Sequence, residues 1–238
     1  MNLWEHFLAA LRLLGQGDPE LWQIIAVSMR SAVLALLIAS VPAIFMGYHL
    51  AYRRFIGRRV LIWLLQASLS FPTVLIGLLL YLLLSRQGVL GAWHWLFTSQ
   101  ALVLGQALIA LPMMTAFVFT AVQAADPRIA ETALSLGARA TQVMWTVLLE
   151  LRFAVIAALI HAFGRVISEV GCAMMVGGNI AGATRTMTTA IALETSKGEF
   201  AQGMALGMML LLLALLMNAI LMLLQGEAGE VNLARRDA

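Results

Sequence analysis

Apolar residues dominate five long stretches of this chain, at about Ile24–Tyr48, Val60–Leu84, Ala101–Val122, Phe153–Val176 and Gly203–Leu224. A helix rises about 1.5 Å per residue, so each stretch can cross a hydrocarbon layer about 30 Å thick. The pattern predicts an all-α polytopic membrane protein with five transmembrane helices. Ahead of them, Met1–Leu14 reads as a short amphipathic helix with Trp4 and Phe7 on its apolar side. It is too short and too charged to span, so it is expected in the membrane interface. Gly15, Gly17 and Asp18-Pro19 end it. The expected organisation is an N-terminal interfacial helix (1–18), a membrane domain (24–225) and a C-terminal tail (226–238).

Between the third and fourth apolar stretches lies a polar, patterned segment, Asp126 to Arg152. Asp126 followed by Pro127 is a helix-start signal, because the carboxylate caps orphan backbone donors and proline suits the first helical position. Ile129, Ala133 and Leu136 recur at helical spacing, and Gly137 suits the left-handed turn that closes a short helix. A second amphipathic run follows from about Arg139 to Leu151. A short helix, a glycine hinge and a second helix, held between two spans, predict a protruding knob able to grip another protein.

Polar and helix-breaking residues inside the apolar stretches mark the remaining features. Phe71-Pro72-Thr73 predicts a kink in the second span, and Pro112 lies midway along the third. Trp93, His94 and Trp95 sit in the loop Ser85–Gln100, placed as interface anchors. Gly203 and Gly207 form a G-x-x-x-G step that permits close helix approach. His161, Arg165 and Glu169 are four residues apart and are expected on one helical face, as a pathway-lining stripe or as helix glue. Arginine precedes glutamate here, the weaker i, i+4 order, which favours partners other than each other. Gly177–Gln202 reads as a long loop rich in glycine and threonine.

Composition agrees with a membrane domain: 62% of the residues are hydrophobic and 11% charged, and mean hydropathy is +0.91. The net charge of +3 comes mostly from arginines at span ends, so it reports topology and not nucleic-acid binding. With the loop after the first span in the cytoplasm, that side holds Arg53, Arg54, Arg58, Arg59, Arg128, Arg139, Arg152, Arg235 and Arg236. The other side holds Arg12, Arg86, Arg185 and Lys197. The knob and C-terminus are therefore expected inside, and the N-terminus outside. Cys172 is alone and reads as a small core residue. Lys197 lacks the glycine-rich context of a phosphate-cradling loop, and the four histidines show no metal-ligand spacing. The chain is not expected to hydrolyse ATP, to hold a metal or to be an enzyme. A channel working alone is the different-class alternative, but it would have no use for the knob.

Two resemblances give these features a function. Glu131-Thr132-Ala133, three residues, Gly137, then Val147 and Leu149 resemble the coupling loop of ABC-importer permeases, which runs Glu-Ala-Ala, three residues, Gly, nine residues, Ile, one residue, Leu-Pro. Thr132 replaces the first alanine, and Glu150 stands where proline is usual. Phe163 to Gly171, then Gly178-Asn179-Ile180, Gly182 and Thr184-Arg185-Thr186, are similar to molybdate and tungstate permeases. Thr186–Ile191 with Leu193-Glu194-Thr195 looks closest to the tungstate branch. The resemblance implies the transmembrane fold of a type I ABC importer and a homodimeric permease moving an oxyanion, with tungstate first and molybdate or sulfate as alternatives. It implies a cytoplasmic ATPase docked on Glu131, Thr132, Ala133 and Gly137, and an extracytoplasmic oxyanion-binding protein. The inner membrane supplies the surrounding lipid. No cofactor belongs to this chain, ATP and Mg²⁺ being bound by the partner. Arg165, Ser168, Glu169, Asn179, Thr184 and Arg185 are the implied pathway or gate residues, with the hydroxyls of Thr186, Thr188 and Thr189 as further donors to a tetrahedral dianion.

Overall fold

The computed structural model describes the backbone of residues 3–234 and the side chains of residues 4, 5 and 7–223. Met1 and Asn2 of the interfacial helix, and Arg235 and Arg236 of the tail, lie outside the described residues. Eleven α-helices and one short 3₁₀ turn, Gly91–Trp93, account for the described regular structure. The helices are α1 (Leu3–Gln16), α2 (Pro19–Tyr52), α3 (Arg58–Ser68), α4 (Thr73–Leu84), α5 (Ser99–Ala124) and α6 (Pro127–Ser135). They continue as α7 (Ala140–Glu150), α8 (Arg152–Ile167), α9 (Gly171–Gly177), α10 (Met187–Lys197) and α11 (Phe200–Ala234).

Three helices, α2, α5 and α11, are long and apolar enough to cross a membrane unbroken. The count reaches the expected five only if each of two bent pairs is one span: α3 with α4, bent by 103°, and α7 with α8, bent by 69°. The second apolar stretch is thus not one kinked helix. Pro72 takes the N-cap position of α4 with an extended backbone, and its carbonyl accepts from Leu75 and Ile76 N–H. A proline there sacrifices no ladder bond, whereas inside the helix it would. The fourth stretch is also interrupted, because α8 stops at Ile167 and α9 begins at Gly171. The expected loop 177–202 contains a real helix, α10, whose Thr186 hydroxyl caps Thr189 N–H. Gly207 has open space where a Cβ would be, so no close helix approach in this chain requires that half of the G-x-x-x-G step.

The chain divides into two units, each with its own core. The first comprises the described parts of Met1–Leu37, Phe71–Ala110 and Phe163–Leu216. Its core includes Leu80 and Leu84 of α4, Ala101 and Ile109 of α5, and Cys172 and Val176 of α9. Small residues let these helices meet. A Cβ on Gly77 would lie 2.8 Å from the Cys172 Cα, and one on Gly105 would lie 2.7 Å from the Cys172 Sγ. Cys172 is fully buried, as expected of a small core residue. Gly105→Ala is expected to cost about 1–3 kcal/mol through overpacking. Adding Cys172→Ala removes the obstructing sulfur and should return most of it, which thermal unfolding of the four-member mutant cycle measures.

The second unit comprises Ile38–Ser70, Leu111–Ala162 and the described part of Met217–Ala238. Its core joins Tyr48 of α2, Val118 and Val122 of α5, Ala130 of α6, Ala158 of α8 and four residues of α7, Val143, Met144, Val147 and Leu148. Gly47 makes the α2–α5 approach possible, since a Cβ there would lie 2.8 Å from the Val118 Cβ. Arg58 closes the end of α2, donating from Nε to the Leu50 carbonyl (2.7 Å) and from Nη2 to that of Ala51 (3.3 Å). The arginine cluster is thus in part a C-cap, with a cation neutralising the negative end of the helix dipole.

Candidate functional site

The knob forms as its local chemistry dictates. Asp126 Oδ1 accepts the Arg128 N–H (2.9 Å), and Pro127 opens α6. At the other end Gly137 adopts φ +81°, the Gly137 N–H bonds to Leu134 O and the Ala138 N–H to Ala133 O. That pair of bonds closes the helix through a left-handed glycine and satisfies its last carbonyls. Gln142 Oε1 then accepts the Arg139 N–H at the start of α7. Ile129, Ala130 and Ala133 face the second core, while Glu131, Thr132 and Gly137 are exposed. Leu136 does not belong to the buried stripe: it lies past the last turn and is 82% exposed, with Leu134 also exposed. Helical spacing alone would turn Leu136 inward, so the two uncovered leucines at the tip are a feature that only the fold discloses.

The second site is the break between α8 and α9. Arg165 Nη1 donates to Glu169 Oε2 at 2.7 Å. Glu169 Oε1 accepts the Cys172 N–H (3.1 Å), and the Glu169 carbonyl accepts the Thr188 hydroxyl (2.8 Å). The glutamate side chain is 2% exposed, the arginine side chain 40%. The two residues pair with each other, contrary to the expectation drawn from their order. Glu169 sits outside the helix, where the break turns its carboxylate back, so the helical i, i+4 preference no longer governs. His161, one turn before Arg165, stacks on Phe117 with ring centroids 5.2 Å apart. The expected stripe therefore resolves into an ion pair and a ring contact. Ser168 is exposed and its hydroxyl donates to Arg165 O.

The threonines cluster inward. Thr184, Thr186, Thr188 and Thr189 are all buried. Thr184 donates to Gly177 O and accepts the Ile180 N–H, while the Thr186 hydroxyl lies 3.0 Å from that of Thr188 and 3.2 Å from that of Thr189. Ser28 of α2 accepts the Met187 N–H (2.7 Å). These hydroxyls tie α10 to the α8–α9 break and to α2, and their bonding is largely internal. Asn179, at φ +52°, donates to Thr189 O, and its buried Oδ1 has no partner within the chain. Arg185 is separate from this cluster. Its Nη1 donates to Glu20 Oε1 at 3.1 Å, a contact across 165 residues that the sequence does not signal.

The fold has a counterpart among solved structures. The crystal structure of a bacterial ABC transporter involved in the import of the acidic polysaccharide alginate matches with a TM-score of 0.70, over 97% of this chain and 85% of that one, at 16% identity. The fold is that of an ABC-importer transmembrane subunit. Residues 39–226 match the family described as binding-protein-dependent transport system inner membrane component, and the chain belongs to that family. It is a non-catalytic, multi-pass permease subunit. The tungstate uptake system permease protein TupB of Campylobacter jejuni is 39% identical over 218 residues, 92% of this chain and 91% of that protein. A probable anion ABC transporter permease protein of Haloferax volcanii is 37% identical over 212 residues, 86% of this chain and 91% of that one. The molybdenum transport system permease protein ModB of Escherichia coli K12 is 30% identical over 192 residues, 76% of this chain and 83% of that one.

Proposed function

We propose that this permease imports a tetrahedral metal oxyanion, tungstate first, as a homodimer driven by a separate ATPase and supplied by a binding protein. The observation that carries the cargo is the 39% identity, across nearly the whole chain, to a tungstate uptake permease. The 30% identity to a molybdenum permease supports molybdate as the second candidate. Physically, a dianion in a low-dielectric passage needs a fixed positive charge and oriented donors. Arg165 meets that need, because its guanidinium is partly exposed and the buried Glu169 holds one nitrogen while leaving the others free. Ser168 is exposed beside it, whereas Asn179 and Thr184 act as supports for the turn that frames the break.

In this reading the ATPase grips the α6 knob at Glu131, Thr132, Ala133 and Gly137, and ATP-driven closure rotates the helices to alternate access. The chain holds no cofactor, and the ATP and its Mg²⁺ belong to the partner. The arginine bias supports a knob inside and an α10 end outside. Import into vesicles carrying permease, ATPase and binding protein tests the cargo. ATP-dependent uptake of tungstate, outcompeted by molybdate far better than by sulfate, is the expected result. Sulfate uptake that tungstate leaves unchanged would reject the metal oxyanion. A cysteine replacing Lys197 should react with an impermeant reagent added outside, and protection there would reject the orientation.

A further inference from the structure

A cleft of about 360 Å³ lies between the first turns of α2 and the turn that precedes α10, lined by Pro19, Glu20, Gln23, Ile24, Ala181, Gly182 and Arg185. Arg185 is the cation among these lining residues. Its side chain is 14% exposed and is ion-paired with Glu20. Its Nε–H is buried and has no partner within the chain, although a guanidinium carries five donors. Glu20 is the opposite: its side chain is 56% exposed and grows from the first turn of a helix. The other carboxylate nearby, Asp18, is committed to capping, since its Oδ1 accepts the Glu20 N–H at 2.9 Å.

The burial of the two partners differs so much that they are not equivalent. Arg185 is anchored by the turn around it: Ile180 O accepts both the Thr184 and Arg185 N–H groups, and Gly182 holds φ +74°. Gly182 also lets Gln23 come close, because a Cβ there would lie 3.2 Å from the Gln23 Nε2. The amide of Gln23 thus borders the same space as the guanidinium. A carboxylate on an exposed, rotatable stem can leave, whereas the turn fixes the Arg185 backbone beside the cleft and its side chain is mostly buried.

We propose that this cleft is an oxyanion site in which Glu20 is a displaceable counter-ion, holding the place that a tetrahedral dianion takes on Arg185. The inference rests on the oxyanion reading above and adds a staging position distinct from Arg165. A tetrahedral oxyanion presents two oxygens to the guanidinium fork and another to the Gln23 amide, a match in shape that a single carboxylate oxygen lacks. The carboxylate competes with cargo for the guanidinium and yields when cargo arrives in excess, which keeps the site weak. The geometry is therefore suited to handing an anion on, not to storing it.

The test uses the whole permease in nanodiscs, without ATPase or binding protein, titrated with sodium tungstate by calorimetry, with sodium acetate as the control anion. Glu20→Gln removes the competing charge at an exposed position and is expected to tighten tungstate binding roughly fivefold, the scale set by loss of a solvent-exposed ion pair. Arg185→Gln should remove the binding that Glu20→Gln tightens, so that adding Glu20→Gln to it gives no gain, and Arg185→Lys, which keeps the charge but loses the fork, should weaken it. A gain in Glu20→Gln cannot come from misfolding, so it keeps the idea testable even if the Arg185 variants assemble poorly. Binding in Glu20→Gln no tighter than in the parent protein would overturn the site, as would acetate binding as well as tungstate. Failure of tungstate import in vesicles, with the Glu20→Gln gain intact, would reject the cargo and not the cleft.

Discussion

Glu169→Gln is expected to leave an assembled complex that hydrolyses ATP but imports roughly 10- to 100-fold less oxyanion. The substitution keeps the shape of the side chain and its acceptor for the Cys172 N–H. It loses the charged bond to Arg165, and a hydrogen bond to a charged group contributes about 1.5–3 kcal/mol. Since about 1.4 kcal/mol is tenfold in population, the guanidinium would hold its present direction roughly 10–100 times less often. The amide also turns a donor toward a donor. Removing only one partner of a buried pair is the costly change, so Glu169→Leu alone should impair assembly as well. The double variant Arg165→Met with Glu169→Leu separates two roles. If the pair carries cargo, the double variant regains assembly and not transport; if it regains both, the pair is only helix glue. ATPase activity of the purified complex and uptake in vesicles give the two readouts side by side.

Loss of ATPase copurification, with normal membrane insertion, is the expected result for Gly137→Arg and for Leu136→Asp. Gly137 holds φ +81°, where a side chain costs about 1–2 kcal/mol. No atom lies within 4 Å of the added Cβ, so the penalty is conformational and the cores are untouched. Asparagine tolerates that backbone, so Gly137→Asn should bind the ATPase nearly as the parent does. Leu136 is so exposed that its replacement by aspartate cannot disturb the fold, yet it puts a charge on the apolar tip offered to the partner. A tenfold or greater loss of affinity, about 1.4 kcal/mol, is expected for it. Full copurification of both variants would remove α6 from the docking surface.

What the sequence reveals here follows the range of the forces involved. The α6–α7 knob is legible because its determinants are neighbours: Asp126 caps two residues away, and Gly137 ends the helix that it adjoins. The long apolar helices α2, α5 and α11 are legible from hydropathy alone. The 103° turn before α4 is not, because Pro72 marks a break without giving its angle. Helix α9 hides at the end of an apolar stretch that reads as one span, and α10 hides inside a glycine- and threonine-rich run, where a bond to a distant group, Met187 N–H to Ser28, fixes it in place. Arg165 and Glu169 stand out in the sequence as charges in an apolar run, but their pairing depends on where α8 stops. Glu20 gives no such signal, since only the folded chain brings it to Arg185.

The packing of α4 bears on how the protein is made. At 12 residues α4 is about 18 Å long, too short to cross a hydrocarbon layer of about 30 Å by itself. Its core partners are α5, which follows it directly, and α9, whose first residue, Gly171, is synthesised well after Leu84 completes α4. At a synthesis rate of roughly 5–20 residues per second, α4 waits several seconds for α9. During that interval α5 already covers Leu80 and Leu84, while the side of α4 at Gly77, which receives Cys172 of α9, stays uncovered. The seam between α4 and α9 is therefore a late part of the first core to close as the chain is made, although α4 itself is among the early helices.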